Sequence, residues 1–216
     1  MAPPQSVFLR LLLLLLPVLA AAFAIPSPAS PAQDKPPSDA AADKFLQACC
    51  AACASTTDAA VCYDSLLPHA SSFEGNVVKV AGAATVIAYA RLRSFDHELR
   101  SFLHGGSGSG AGVVGAVKSC VKYYPDVLYR EDDTLAMLRR LETAAGRREE
   151  KAKSNLHTVN SYIGEIYDFT DMCMDGFVSS GAGVLASPVG KMMLAGNATV
   201  YLYGGIALDL VASIKL

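Results

Sequence analysis

Four stretches of this chain carry apolar side chains at steps of three and four, and that spacing limits the fold more than any other feature. In the first, Ala81, Ala84, Ala88, Leu92, Phe95, Leu99 and Phe102 fall on one side of a helix. The second runs from about Val113 to Ala145 through Val117, Cys120, Tyr124, Leu128, Leu135, Leu138 and Leu141. Pro125 interrupts it and predicts a kink, because proline removes one backbone donor. The third alternates steps of three and four from Leu156 through Val159, Ile163, Ile166, Thr170 and Cys173 to Phe177. The fourth, from about Met192 to Ile214, carries Leu194, Ala198, Tyr201, Gly205, Leu208 and Ala212. Glycine-, serine- or arginine-rich breaks at 104–112, 144–148 and 179–190 separate them. Short breaks between long amphipathic helices predict an all-α fold, an up-and-down four-helix bundle. Ahead of it, residues 41–68 read as a small helical hairpin ending at Pro68. No alternating strand run and no internal repeat is present.

The amino terminus sets the compartment. "MAPPQSVFLRLLLLLLPVLAAAFA" places Arg10 before an apolar run from Leu11 to Ala22, followed by small residues at Ala22 and Ala24. This predicts a signal peptide over 1–24, cleaved after Ala24. The run is shorter than the roughly 17–25 residues of a spanning helix. A Pro/Ser/Ala-rich linker is expected over 25–40, and a helical domain over 41–216. The fourth segment is long and apolar enough to span a bilayer, but Asp209 within it costs about 2.5–3.5 kcal/mol if placed centrally. It reads as a buried bundle helix, and the mature chain is expected to carry no membrane anchor. The formal net charge is −2 and no basic block occurs, which argues against a nucleic-acid partner.

Six cysteines, Cys49, Cys50, Cys53, Cys62, Cys120 and Cys173, meet an oxidising compartment in a secreted chain. Zinc sites prefer two close cysteine pairs or cysteine with histidine, whereas His69, His97, His104 and His157 are scattered. Cys50-Ala51-Ala52-Cys53 is formally C-x-x-C, but no strand precedes it as a thioredoxin-like fold requires. Structural pairing fits better. Cys53 and Cys62 flank the turn of the hairpin, and Cys120 and Cys173 lie on the apolar faces of two long helices. Spacing by itself does not settle connectivity.

Catalytic patterns are poor. Gly110–Gly115 spells G-x-G-x-x-G, but a Gly/Ser loop precedes it instead of the strand a dinucleotide site needs. Neither G-x-S-x-G nor H-E-x-x-H occurs. Glu131, Asp132 and Asp133 read as a solvated acidic helix face, and His97 with Glu98 as a surface pair. No enzymatic activity, cofactor or metal is expected. Asn197-Ala198-Thr199 is a sequon that predicts either a surface glycan or an unmodified site inside a packed helix.

Taken in order, "CASTTDAAVC" (53–62) with Thr56 three residues after its first cysteine, "CVKYY" from Cys120 to Tyr124, and "CMDGF" with Cys173, Asp175 and Phe177 resemble the plant inhibitors of pectin methylesterase and invertase. The resemblance covers residues 45–216. It implies a signal peptide, a helical hairpin and a disulfide-braced four-helix bundle. It also implies bridges Cys53–Cys62 and Cys120–Cys173, leaving Cys49 and Cys50 unassigned. The invertase inhibitors share a Pro-Lys-Phe where this chain has Leu156-His157-Thr158, so the resemblance points to a secreted, apoplastic inhibitor of pectin methylesterase docking over its substrate cleft. An invertase inhibitor, or a secreted helical protein with neither activity, is the alternative. The family's binding face lies on the second and third bundle helices, which implies Asp126, Glu131, Asp132, Glu165 and Asp168 as partner-binding candidates.

Overall fold

The first three 3–4 spaced stripes become the buried faces of long helices. On the fourth segment only Gly205 of the expected stripe is buried, and Leu194, Ala198 and Ala212 are exposed. Met193, Val200, Gly204, Ala207 and Val211 form the core face instead, because that helix is apolar nearly all round and its spacing singles out no one face. The structure is a computed structural model that describes residues 37–53, 59–105, 110–143 and 149–216. The chain divides into Met1–Lys35 and Pro36–Leu216, and the described residues belong to the second unit. The expected signal peptide, the linker up to residue 36, and Thr56 lie outside them. The helices are α1 (Pro37–Ala51), α2 (Ala59–Leu66), α3 (Val77–Gly105), α4 (Ala111–Tyr129), α5 (Glu131–Thr143), α6 (Glu149–Val178), α7 (Ala182–Ala186) and α8 (Pro188–Ala212). A 3-10 segment, Leu67–Phe73, follows α2. Helix α1 begins inside the stretch read as linker, and Pro68 opens the 3-10 segment, with φ preset for a helical first turn. No strand occurs among the described residues.

Four arms close the bundle. Helix α3 packs on α4 and α5 and on α8; α6 packs on the same three helices from the other side. The side chains of Tyr89, Leu92, Leu99, Tyr124, Ile163, Ile166, Phe177 and Leu210 are fully enclosed between them. Helix α8 passes the length and hydropathy test for a membrane span, but Met193, Val200, Ile206, Ala207, Leu210 and Val211 are buried inside the bundle. Local signals set the helix starts. Asn76 Oδ1 accepts the Val78 N–H at 2.8 Å, and Ser187 Oγ accepts the Gly190 N–H at 3.0 Å ahead of Pro188. Each satisfies an otherwise orphaned donor of a first turn.

The second arm is divided into two helices. Helix α4 continues through Pro125, and the break comes later, at Arg130. Proline cannot donate to the carbonyl of Val121, four residues back. The Arg100 guanidinium of α3 fills that vacancy, with Nη2 3.4 Å from Val121 O. Asp96 aims the guanidinium, accepting from Nε at 2.7 Å. At the break, the Arg130 N–H bonds back to Val127 O at 3.0 Å, closing α4 in a tighter turn. Glu131, Asp132 and Asp133 then occupy the first turn of α5, where the helix dipole favours acids. Thr134 binds the pieces together. Its hydroxyl donates to Arg130 O at 2.7 Å and lies 3.2 Å from Tyr89 Oη. Burial, the dominant cause, pushes the Tyr89 phenol up to about 12.

Arms α3 and α8 approach closely because α8 offers a glycine. A Cβ on Gly196 would lie 2.3 Å from the Phe95 ring. That ring is buried and faces Tyr124 at a centroid distance of 5.9 Å, so it has nowhere to retreat.

In the hairpin the bridge joins Cys50 to Cys62, with Cα atoms 5.6 Å apart. This corrects the expected Cys53–Cys62 pair. Cys50 lies just inside the end of α1 and Cys62 just inside the start of α2, so antiparallel helices bring them to the same level. Cys53 lies beyond the last helical residue of α1, its N–H bonded to Cys50 O at 3.1 Å. Cys49 and Cys53 are buried free thiols. Burial, with a smaller contribution from Asp209 on α8, pushes the Cys53 thiol up to about 11. The other bridge is Cys120–Cys173, as the resemblance implied, with Cα atoms 4.6 Å apart.

Two outcomes follow from this packing. Gly196→Ala lowers the unfolding free energy by about 1–3 kcal/mol through overpacking. Gly115→Ala, whose Cβ would enter open space on α4, raises it by about 0.4–1 kcal/mol. Chemical denaturation of both variants measures the contrast. Mass mapping of an unreduced digest gives Cys50–Cys62 and Cys120–Cys173, with Cys49 and Cys53 alkylated only after unfolding. Because the Cys53 thiol is raised in the folded protein, unfolded chain ionises first. Stability therefore falls as pH rises from about 9 towards 11, and Cys53→Ala flattens that decline.

Candidate functional site on the α4–α6 face

Helices α4 and α6 run side by side, held by the Cys120–Cys173 bridge. On their solvent side, about two turns beyond the bridge on α4, a cleft of about 490 Å³ opens. Asp126, Tyr129 and Arg130 of the α4 end face Glu165, Asp168, Phe169 and Met172 of α6 across it. Tyr129 is 79 % exposed and Met172 48 %. Large apolar side chains this open are informative when they cluster beside a groove, since a stable surface has no need of them there.

Ring contacts surround the cleft. Tyr123 stacks on Phe169 at 5.5 Å with planes 19° apart, and Lys122 lies over the Tyr123 ring. Arg130 lies over the Tyr162 ring at 4.9 Å. The carboxylates of Asp126, Glu165 and Asp168 have no ion-pair partner among the described residues. The cleft is therefore acidic at its rim and aromatic in its wall. Such a surface suits a basic or polar partner that accepts one projecting ring.

The sequence candidates separate into two groups. Asp126, Glu165 and Asp168 come together around the cleft. Glu131 turns away and forms an ion pair with Arg93 of α3. Asp132 is exposed in the first turn of α5, outside the cleft lining. Tyr129 and Met172 were missing from the sequence reading, although a signal existed: both are large apolar residues lying off the core stripe of their helices. The Gly110–Gly115 motif starts α4, with Gly110 as its N-cap. Asn197 lies midway along α8, half-buried, its Oδ1 enclosed without a hydrogen-bond partner. Among the described residues no cluster of histidine, cysteine or carboxylate side chains could hold a metal ion.

The fold is that of an all-α, disulfide-braced helical bundle. The chain matches the plant invertase/pectin methylesterase inhibitor family over residues 44–210 and belongs to it. It is 28% identical over 117 residues to pectinesterase inhibitor 10 of Arabidopsis thaliana, covering 54% of this chain and 36% of that protein. It is 35% identical over 133 residues to an uncharacterised protein of Oryza sativa subsp. japonica, covering 60% of this chain and 56% of the relative. The matched region thus spans about half or less of each relative's length. No solved structure matches the chain significantly. The family is one of proteinaceous inhibitors, not enzymes.

Because Asp126 and Asp168 are exposed and unpaired among the described residues, the double substitution Asp126→Lys/Asp168→Lys leaves the unfolding free energy within about 0.5 kcal/mol of the parent. A denaturation curve checks this, and establishes that the face is free of structural duty.

Proposed function

We propose that this protein is an extracellular inhibitor of pectin methylesterase that docks its α4–α6 face over the enzyme's substrate cleft. The observation that carries the reading is the position of Cys120–Cys173, which fastens together the two helices that form the face. An inhibitor gains affinity when its binding surface is ordered before contact, since less freedom is lost on association. Tyr129 and Met172 supply apolar anchors, and interface energy concentrates in few such residues. Asp126, Glu165 and Asp168 ring them and set orientation and partner charge. Steric exclusion of the polysaccharide substrate is the whole mechanism. No bond in either protein is made or broken. The predicted signal peptide, the two disulfides and the family membership support an apoplastic location.

Titration of the oxidised protein against pectin methylesterases and acid invertases tests the assignment. Inhibition of the esterases is expected; inhibition of invertases alone, or of neither, overturns it. Within the esterase complex, Tyr129→Ala costs about 2 kcal/mol or more of binding, roughly a 30-fold rise in inhibition constant. Asp126→Ala weakens inhibition measurably, while Asp132→Ala, outside the cleft, changes it less than about twofold.

A further inference from the structure

A second concavity lies on a different side of the bundle, where the 3-10 segment, α3 and α5 meet. Its volume is about 450 Å³, within the range of roughly 300–1,000 Å³ typical of small-molecule sites. The floor is aliphatic: Ala83, Val86 and Ile87 of α3 face Leu135 and Leu138 of α5, and Phe73 closes one end. The sequence opens this groove locally. Gly82 has no side chain, and a Cβ there would meet nothing within 4 Å. Val86, directly along the same face, is left 46 % exposed. From Val78 to Ile87 the groove follows α3 for roughly 14 Å at 1.5 Å per residue, a span that an extended laurate chain matches.

Charges stand only at the rim. Lys79 and Arg139 oppose a single carboxylate, Glu142. Lys79 is already engaged, paired with Glu74 and 3.8 Å from Glu142 Oε1. Arg139 is exposed, and its guanidinium has no ion-pair partner among the described residues. The groove thus combines an aliphatic trough with a planar cation that is unpaired among the described residues, and such a fork matches a carboxylate bidentately.

We infer that this groove binds a single-chain aliphatic carboxylic acid, with the chain along Val78–Ile87 and the carboxylate on Arg139. The site is separate from the α4–α6 cleft, and the inference does not rest on the inhibitor reading. A cationic amphiphile of equal length meets Arg139 with like charge. The groove therefore discriminates by head group as well as by chain.

Isothermal titration of the oxidised protein with monomeric sodium laurate tests it, with dodecyltrimethylammonium as the cationic counterpart and phosphatidylglycerol vesicles as an anionic surface. One equivalent of laurate binds, the cation binds at least tenfold more weakly, and vesicles do not compete with the monomer. Arg139→Glu weakens laurate at least tenfold and removes the preference. Gly82→Trp, accepted only if its helical circular dichroism and melting temperature match the parent, abolishes binding by filling the trough. Should that variant fail to fold, Arg139→Glu decides the matter alone. Absence of laurate binding, several equivalents bound, equal affinity for both head groups, preference for vesicles, or indifference to Arg139→Glu each overturns the assignment.

Discussion

The bridge between Cys120 and Cys173 is the constraint on which the rest of the arrangement depends. It crosses from α4 to α6 with both sulfurs buried in the core. In the chain-entropy account a loop of this length is worth about 4 kcal/mol, because the unfolded chain loses the freedom to separate its ends. More consequential for function is where the bond lies. It fixes the mutual position of the two helices whose outer faces carry Tyr129, Asp126, Glu165, Asp168 and Met172. Side chains on regular helices inherit that fixity, whereas a binding surface built from loops would have to be ordered on contact.

A second dependency runs through Arg100. Proline in the middle of α4 leaves the Val121 carbonyl without its helical partner, and a kink is the usual remedy. Here the vacancy lies beside α3, close enough for a guanidinium to reach it. Asp96 holds that guanidinium in place. Helix α4 runs unbroken from Ala111 to Tyr129, and the helical assignment breaks at Arg130 instead. That break leaves Tyr129 as the last residue of α4, open to solvent.

Much of the bundle was legible in the residues. A stripe such as Leu156–Val159–Ile163–Ile166–Thr170–Cys173–Phe177 has one burial solution as a helix, and all of its members except half-buried Leu156 are enclosed. The hairpin bridge was not legible. Cys53 and Cys62 flank the connection symmetrically in sequence, but a disulfide answers to Cα separation and side-chain direction. Those depend on where α1 ends, and its last helical residue is Ala51. Of the five acidic candidates, three gather and two do not, for a similar reason. Glu131 and Asp132 are adjacent in sequence and one helical step apart, so one reaches Arg93 and the other faces water.

By itself, then, the sequence determined the fold class, three of the four buried stripes and the family, whose resemblance carried with it the Cys120–Cys173 bridge. Each of these rests on a local period or on an ordered set of motifs, which survive without knowledge of what lies across the core. The tertiary structure alone decided which hairpin cysteine bonds, how Pro125 is accommodated, and which carboxylates share a cleft with Tyr129 and Met172. These depend on the level and direction of side chains from separate helices. Such relations are set by how the arms pack, and no spacing along the chain encodes them.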